Sequence, residues 1–270
     1  MRKSPIFKEK FLKTEDNIKI AINHYDKERD SVVIIAHGWY MCKDSTVFKA
    51  MSGDFFENYD VITMDFRGHG KSSGFYTFTA NEPADIKAVI NYAKQRYSKI
   101  SLLGFSLGAA ISIIHAAKHN DINSLIAVSA PVSFDKIENH FFKKEAFIPT
   151  FKKFELWRSL SIRPGNILLK KINPIDIIQK IESASILFLT GGNDPTVHPW
   201  HSQKLYDKAH ERKSLTVFHG NFHAEDLYIS SRERFIRVCN DWMCSIEKEK
   251  AISFCGKNGG ELSFLDCADQ

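Results

Sequence analysis

Short apolar runs alternate with amphipathic stretches along most of this chain. The run Ser31–Ala36 is rich in valine and isoleucine without polar alternation, which predicts a strand buried on both faces. In Asn81–Tyr97 the apolar residues recur at helical spacing, and Pro83 stands near the start, where a helix tolerates proline. Strands that alternate with helices favour a mostly parallel sheet covered on both sides.

The same patterns predict the other elements. The further strands are Phe11–Thr14, Ile18–Tyr25, Tyr59–Asp65, Ile100–Leu103, Asn123–Ser129, Ile186–Thr190 and Leu215–Phe218. The first two of these form a leading β-hairpin, and helices are expected after Ser106 and over Trp200–Ala209 and Arg232–Glu249.

About 50 residues separate the sixth predicted strand from the seventh, far more than one crossover helix needs. Seven aromatic residues lie between Phe134 and Trp157. We therefore expect a helical cap, residues 132–181, inserted after strand six into a core formed by residues 1–131 and 182–250. Most of the aromatic rings would pack the cap onto the sheet. Residues 251–270, which show no sustained period, are expected to form a loosely packed tail.

Composition narrows the class of protein. With 270 residues, 43% of them hydrophobic, the chain suits one α/β domain with a buried core. No apolar run approaches the roughly 20 residues that span a membrane, so no stable membrane insertion is expected. The five cysteines are scattered and odd in number, unlike a disulfide framework, which favours a reduced, cytoplasmic compartment.

The net charge of +5 is concentrated in one segment. The segment from Phe134 to Lys180 contains ten Lys and Arg residues but only five Asp and Glu residues. A nucleic-acid-binding protein more often carries a broad basic face with a recognisable module, and the sequence contains no such module. We therefore expect a solvated basic surface and no nucleic-acid partner.

The pentapeptide Gly104–Gly108, Gly-Phe-Ser-Leu-Gly, lies between a predicted strand and a predicted helix. That context is typical of a nucleophile elbow, with the Ser106 hydroxyl exposed at the helix start. Backbone N–H groups at a helix start point at incoming negative charge. On this motif alone, an ordinary strand–turn–helix remains the alternative.

A serine nucleophile needs a histidine base and an anion that orients the histidine. Asp194 and His223 each follow a later predicted strand, and the chain order Ser106, Asp194, His223 is the one expected of this type of elbow. Asp135 also follows a strand and is an alternative acid, whereas Asp226 is expected to cap a helix. Weaker candidates for the base are His198, His201 and His219.

The tetrahedral intermediate of acyl transfer needs two fixed N–H donors. The backbone N–H groups of Trp39, after the turn His37-Gly38, and of Leu107, after the serine, are the candidates for this oxyanion hole. His37 is expected to stabilise the turn by hydrogen bonding and not to act in catalysis.

With these motifs the chain resembles the α/β-hydrolase superfamily, in its serine esterase/lipase or serine aminopeptidase-like branch, over about residues 15–248. The motifs that carry the resemblance are His37–Trp39, Asp65–Ser72 (Asp-Phe-Arg-Gly-His-Gly-Lys-Ser), Gly104–Gly108, Gly192–Asp194 and His219–His223. The resemblance implies an eight-stranded sheet with a cap over the site. It also implies that the Asp65–Ser72 loop supports the surroundings of the nucleophile, and that Gly38 with Trp39 forms a single-glycine oxyanion turn.

The sequence thus predicts a hydrolase that cleaves small to medium acyl or aryl carboxylic esters through an acyl-enzyme, with no cofactor and no metal. Its partner would be a small-molecule ester. A peptidase, amidase or thioesterase of the same fold is the alternative, and an acyltransferase or a non-catalytic binding protein is a further one. The sequence leaves open whether the chain is a monomer or a homodimer.

Overall fold

Eight strands form one sheet in the computed structural model, which describes residues 5–137, 144, 155, 161–166 and 168–258. The strands are β1 Lys8–Lys13, β2 Lys19–Tyr25, β3 Ser31–Ala36, β4 Asp60–Met64, β5 Lys99–Phe105, β6 Ser124–Val128, β7 Ser185–Gly191 and β8 Lys213–Phe218. Their order across the sheet is β1-β2-β4-β3-β5-β6-β7-β8. β1 and β2 form the predicted antiparallel hairpin, β2 pairs antiparallel with β4, and the remaining pairs are parallel. The mostly parallel eight-stranded sheet is confirmed.

Helices cover the sheet in the described part of the chain. They are α1 Thr46–Phe55, α2 Pro83–Lys94, α3 Leu107–His119, α4 Pro174–Ile177, α5 Pro199–Lys208, α6 Asp226–Ser230 and α7 Arg232–Asn258. The sequence patterns did not predict α1, and for the short α6 they predicted only a helix start at Asp226. α7 also continues past its predicted end at Glu249, because residues 247–251 are strong helix formers without glycine or proline.

Both faces of the sheet are buried, which explains the uninterrupted apolar runs. Val32 and Ile34 of β3 belong to one hydrophobic cluster, packed with α2 and α3. Val33 and Ile35 point the opposite way and belong to a second cluster, packed with α1 and α7. Because successive side chains of a strand alternate between faces, a central strand covered on both sides has no polar positions.

The parallel strands end at the same edge of the sheet. In the register of the sheet, Ala36 at the end of β3 pairs with Gly104, and Phe105 at the end of β5 pairs with Val128. Gly191 at the end of β7 pairs with Phe218 at the end of β8. The loops that carry the predicted site residues therefore begin side by side.

The predicted cap falls between β6 and β7, and most of it lies outside the described residues. Its described parts include a 3-10 turn at Phe134–Lys136, α4, and a second 3-10 turn at Ile178–Lys180. The boundaries of the cap stay predictions. Of the predicted loose tail, residues 251–258 belong instead to α7, and residues 259–270 lie outside the described residues. Across the described residues, no helix combines the length and the apolar character that crossing a membrane requires.

A buried ion pair ties the loop after β4 to α2. The Arg67 guanidinium donates from Nη2 to Asp85 Oδ1 at 2.7 Å, and the Arg67 backbone N–H donates to Asp85 Oδ2 at 2.9 Å. The same guanidinium reaches Asp16 Oδ2 at 2.6 Å, but the Asp16 side chain is 49% exposed while that of Asp85 is fully buried.

This difference in burial predicts unequal effects of two similar substitutions. Asp85→Asn should lower the free energy of unfolding by about 3 kcal/mol, because it leaves a buried guanidinium without its buried counter-charge. Asp16→Asn, the matched control, should cost less than about 1 kcal/mol. Urea denaturation followed by circular dichroism measures both, and equal losses would contradict the assignment.

Candidate active site

The three side chains that the sequence singled out for acyl transfer form one hydrogen-bonded chain. Ser106 Oγ lies 2.8 Å from His223 Nε2, and His223 Nδ1 lies 2.7 Å from Asp194 Oδ2. Ser106 follows β5, Asp194 follows β7 and His223 follows β8, so the shared edge of the sheet brings them together. This is the arrangement in which a histidine can take the serine proton while a carboxylate holds its other nitrogen.

The environment of Asp194 keeps its carboxylate ionised. Burial acts to raise its pKa, but the charge and hydrogen bond of His223 and two backbone N–H groups outweigh burial, so the pKa of Asp194 lies below its ordinary value. The two donors are the N–H groups of Thr196 and Val197, each 2.9 Å from Oδ1. One carboxylate oxygen is therefore held by the loop, and the other faces His223.

Ser106 stands in a strained backbone conformation, with φ 51° and ψ −118°. Two glycines leave the space that this turn needs. A Cβ at Gly104 would lie 2.7 Å from the Cα of Ala109, and one at Gly108 would lie 2.3 Å from the carbonyl oxygen of His37. The Gly-x-Ser-x-Gly pattern thus follows from close backbone contacts on both sides of the serine.

His37 orients the peptide that carries one predicted oxyanion donor. The Phe66 N–H donates to His37 Nε2 at 3.2 Å, so the proton resides on Nδ1, which lies 2.7 Å from the Gly38 carbonyl oxygen. In a planar trans peptide the N–H points opposite to the C=O, so the Trp39 N–H points away from His37. Gly38 itself packs against the serine, since a Cβ there would lie 3.3 Å from Ser106 Cβ.

The loop that carries His223 is held from several directions. A Cβ at Gly191 would lie 1.9 Å from the Phe222 carbonyl oxygen, so the end of β7 passes directly against this loop. The Ala224 N–H donates to Ser129 Oγ at 3.1 Å, and both residues have positive φ, 53° and 49°. The buried Glu225 also reaches the oxyanion turn, with Oε1 3.3 Å from a Cβ placed at Gly38.

The sequence patterns did not predict that Ser129 and Glu225 contact the loops of the site. The one available signal for Ser129 was its position directly after β6, at the edge of the sheet where the other site loops begin. Nothing in the sequence pattern distinguishes Glu225, whose contact depends on how the loop folds back.

The alternative acids occupy other places. Asp135 is exposed, and a hydrogen bond with Ser133 lowers its pKa. Asp226 lies in the first turn of α6, where its Oδ2 accepts the Phe222 N–H at 2.8 Å, and so it orders the His223 loop.

The other histidines have different partners or positions. Buried His201 accepts the Val132 N–H on Nδ1 at 3.1 Å, and His198 precedes α5. His219 directly follows β8 and lies against Gly192.

The Asp65–Ser72 loop follows β4 and contacts the turn that precedes α1. Buried Asp65 accepts the Lys43 N–H at 2.7 Å and the Lys71 N–H at 2.9 Å, and burial raises its pKa to about 6. Gly70, with φ 48°, passes so close that a Cβ would lie 2.3 Å from Asp65 Oδ2. The loop therefore braces the turn that precedes α1.

One cluster in the described part of the chain has the composition of a metal site. His24, Asp26 and Asp60 each offer a ligand atom within 4.8 Å of the others. However, the two ring nitrogens of His24 lie 2.9 and 2.6 Å from the hydroxyls of Tyr92 and Tyr97. Asp60 is the first residue of β4, so the cluster lies at the opposite end of that strand from the loops that carry the site residues.

The sheet, the elbow and the site loops define an α/β hydrolase. The sequence model of the family described as "Serine aminopeptidase, S33" matches residues 27–183, more than half of the chain, and the protein belongs to this family. The matched range contains Ser106 and ends before Asp194 and His223.

Curated relatives and solved structures agree with this classification. The chain is 32% identical over 127 residues to the AB hydrolase superfamily protein YisY of Bacillus subtilis, which covers 44% of each chain. It is 29% identical over 151 residues to protein bem46 of Schizosaccharomyces pombe, covering 53% of this chain and 44% of the relative. The chain thus spans about half the length of the curated relatives it matches.

Two esterase structures have the same fold. An esterase from Pyrococcus furiosus superposes with a TM-score of 0.74 at 23% identity, covering 90% of this chain and 91% of that one. The esterase RhEst1 from Rhodococcus superposes with a TM-score of 0.72 at 16% identity, covering 88% and 99%. At these identities the likeness shows the fold alone.

Replacing glycine by alanine should change the free energy of unfolding in opposite directions at two helical positions, Gly108 and Gly53. Gly108→Ala should lower the free energy of unfolding by at least about 2 kcal/mol, because the new methyl group would overlap a backbone carbonyl oxygen. Gly53→Ala in α1 should raise it by about 0.5–1 kcal/mol, because the nearest atom would be 3.8 Å away and alanine favours a helix. Urea unfolding of both variants tests the pair, and a stable Gly108→Ala protein would contradict the close contact.

The buried neutral His37 predicts an acid-dependent loss of stability. Burial lowers the pKa of His37 to about 4 in the folded chain. Between pH 6.5 and pH 4, His37 therefore binds a proton in the unfolded chain but not in the folded chain. Stability should therefore fall as pH falls through this window, by up to about 1.4 kcal/mol per pH unit from this group. His37→Asn should remove that part of the slope in urea titrations at several pH values. The same change at exposed His210 is the control, and equal slopes in all three proteins would refute the prediction.

Proposed function

We propose that this hydrolase cleaves carboxylic esters through an acyl-enzyme intermediate formed on Ser106. The observation that carries the proposal is the hydrogen-bonded chain from Ser106 through His223 to Asp194, built on a strained elbow. A serine aligned with a base and an ionised carboxylate is the arrangement that activates a hydroxyl for acyl transfer.

In the first half-reaction, Ser106 Oγ attacks the ester carbonyl carbon while His223 Nε2 takes the hydroxyl proton. The carbonyl oxygen becomes an oxyanion, which the N–H groups of Trp39 and Leu107 stabilise. As the C–O bond breaks, His223 returns the proton to the departing alcohol, and Asp194 stabilises the imidazolium that exists in between.

The second half-reaction uses the same groups with water as the nucleophile. His223 takes a proton from water as its oxygen attacks the acyl carbon. The bond to Ser106 Oγ then breaks, Oγ recovers the proton from His223, and the carboxylic acid leaves. No other group is required by this sequence of steps, so we propose catalysis without metal or organic cofactor.

We propose a small-molecule ester with a small to medium acyl or aryl group, which the aromatic residues around Trp39 favour. The family description names an aminopeptidase, so amide hydrolysis is the second candidate, and a thioesterase, an acyltransferase or a non-catalytic binding protein are further ones. Fold alone does not choose among them.

We also propose a cytoplasmic location. Cys42 and Cys239 are buried free thiols in the described part of the chain, which is usual in a reducing compartment. Whether the enzyme acts as a monomer or as a homodimer is left open by this proposal.

The catalytic roles predict a specific pattern in three variants. Ser106→Ala should abolish labelling by a fluorophosphonate probe and reduce kcat on 4-nitrophenyl butyrate by at least about 1000-fold. Asp194→Asn should reduce kcat by about 1000- to 10,000-fold, because the amide no longer stabilises the imidazolium. Asp135→Asn, the matched control at the alternative acid, should change kcat less than about twofold.

The unmodified enzyme should be compared on 4-nitrophenyl butyrate and on the corresponding 4-nitroanilide. Hydrolysis of the anilide without hydrolysis of the ester would replace the esterase by a peptidase or amidase. Probe labelling that persists in Ser106→Ala would contradict the assignment of the nucleophile.

A further inference from the structure

Two consecutive residues beside the oxyanion turn adopt left-handed backbone conformations. Phe78 has φ 53° and Thr79 has φ 82°, and neither is glycine. Such conformations are uncommon for side-chain-bearing residues and destabilise the backbone. A strained pair persists only where surrounding contacts hold it, and such strain concentrates at active sites and ligand clamps.

On one side, a buried carboxylate holds this strained turn. Glu82 is fully buried, and its Oε1 accepts the Thr77 backbone N–H at 2.6 Å and the Thr77 hydroxyl at 2.9 Å. The Thr77 hydroxyl oxygen in turn accepts the Asn81 N–H at 3.0 Å. The turn is therefore closed by hydrogen bonds on both flanks of Phe78.

On the other side, the chain segment that returns from the insertion holds the turn. The Tyr76 N–H donates to the Arg163 carbonyl oxygen at 2.8 Å, and the Gly165 N–H donates to the Tyr76 carbonyl oxygen at 2.7 Å. The Arg163 guanidinium also donates to the carbonyl oxygens of Ser72 and Gly74. Tyr76 and Thr77, the two residues that precede Phe78, are thus fixed by independent contacts.

These contacts hold the buried Phe78 ring among three other aromatic rings, of which that of Tyr76 lies at a centroid distance of 5.0 Å. The Phe78 centroid lies 5.1 Å from that of Trp39 and 5.5 Å from that of Phe134, both in edge-to-face geometry. Trp39 carries the peptide N–H proposed for the oxyanion hole, and Phe134 is 37% exposed at the start of the insertion. The rings of Trp39, Phe78 and Phe134 thus form an aromatic row that begins at the residue carrying the proposed oxyanion donor and ends at a partly exposed ring.

We propose that Phe78 is a specificity-determining residue that holds an aromatic ring of the substrate beside the scissile ester. The inference rests on the proposed esterase function and deepens it, because it names aryl esters as the preferred class. Edge-to-face contact with an aromatic ring favours an aryl group over a saturated ring of the same shape. The aryl group can belong to the acyl or to the alcohol part of the ester, and the two arms of the test distinguish these cases.

The test compares matched aromatic and saturated esters. The acyl arm uses 4-nitrophenyl phenylacetate and 4-nitrophenyl cyclohexylacetate, and the alcohol arm uses benzyl acetate and cyclohexylmethyl acetate. For each pair, the ratio of kcat/KM is corrected by the ratio of the alkaline hydrolysis rates. In the unmodified enzyme the corrected ratio should favour the aromatic ester by about 5- to 10-fold in one arm.

Phe78→Leu should lower this ratio by about fivefold, mostly through KM, because leucine keeps an apolar side chain but removes the ring. Phe78→Tyr, which keeps the ring, should restore the preference. Phe75→Ala is the control: Phe75 lies on the same segment, is 63% exposed, and should leave the ratio unchanged. A general structural defect would lower kcat/KM for both members of a pair and leave their ratio unchanged.

A corrected kcat/KM ratio near one in both arms of the test, measured with the unmodified enzyme, would overturn the proposal. This measurement does not depend on whether any variant folds. The proposal would also be overturned by a ratio that Phe78→Leu does not change, or that Phe75→Ala changes equally. Failure of the proposed function has a different signature, the absence of hydrolysis of all four esters by the unmodified enzyme, and this result would overturn both proposals.

Discussion

The candidate site depends on one close contact between backbones. The first turn of α3 lies against the end of β3 so closely that a Cβ at Gly108 would be 2.3 Å from the His37 carbonyl oxygen and 2.5 Å from that of Ala36. This contact fixes the serine turn relative to the oxyanion turn, because Ser106 and His37 lie on the two segments that touch. The strained φ of Ser106 is tolerated because the contact and the surrounding sheet leave no relaxed alternative.

Burial then sets the charge of each group around this contact. His37 is buried and neutral, which lets one ring nitrogen donate to Gly38 while the other accepts from Phe66. Asp194 is equally buried, but two backbone N–H groups and His223 stabilise its negative charge. Two buried titratable groups therefore serve opposite purposes: His37 holds backbone as a neutral ring, and Asp194 keeps a fixed negative charge beside His223.

Much of this arrangement could be predicted from local sequence patterns. The apolar runs located the strands because burial on both faces removes polar positions, and the loops after β5, β7 and β8 followed from strand ends at one edge. The contacts of Ser129, Glu225 and Phe78 could not be predicted in this way. Each depends on contacts between segments that are distant in the chain, such as the Ala224 N–H with Ser129 Oγ, and no local pattern records such contacts. α1 was missed because it contains Gly53, which weakens the helical signal.

Mass spectrometry tests most directly whether an acyl-enzyme intermediate forms on Ser106. The enzyme is mixed with 4-nitrophenyl acetate, quenched in acid during turnover, digested and analysed, with Ser106→Ala treated in parallel. An acetyl group is expected on the peptide that contains Ser106, accumulating in the unmodified enzyme and absent from the variant. Ester consumption without any acetylated Ser106 peptide, or with the acetyl group on another residue at turnover rates, would contradict an acyl-enzyme on Ser106.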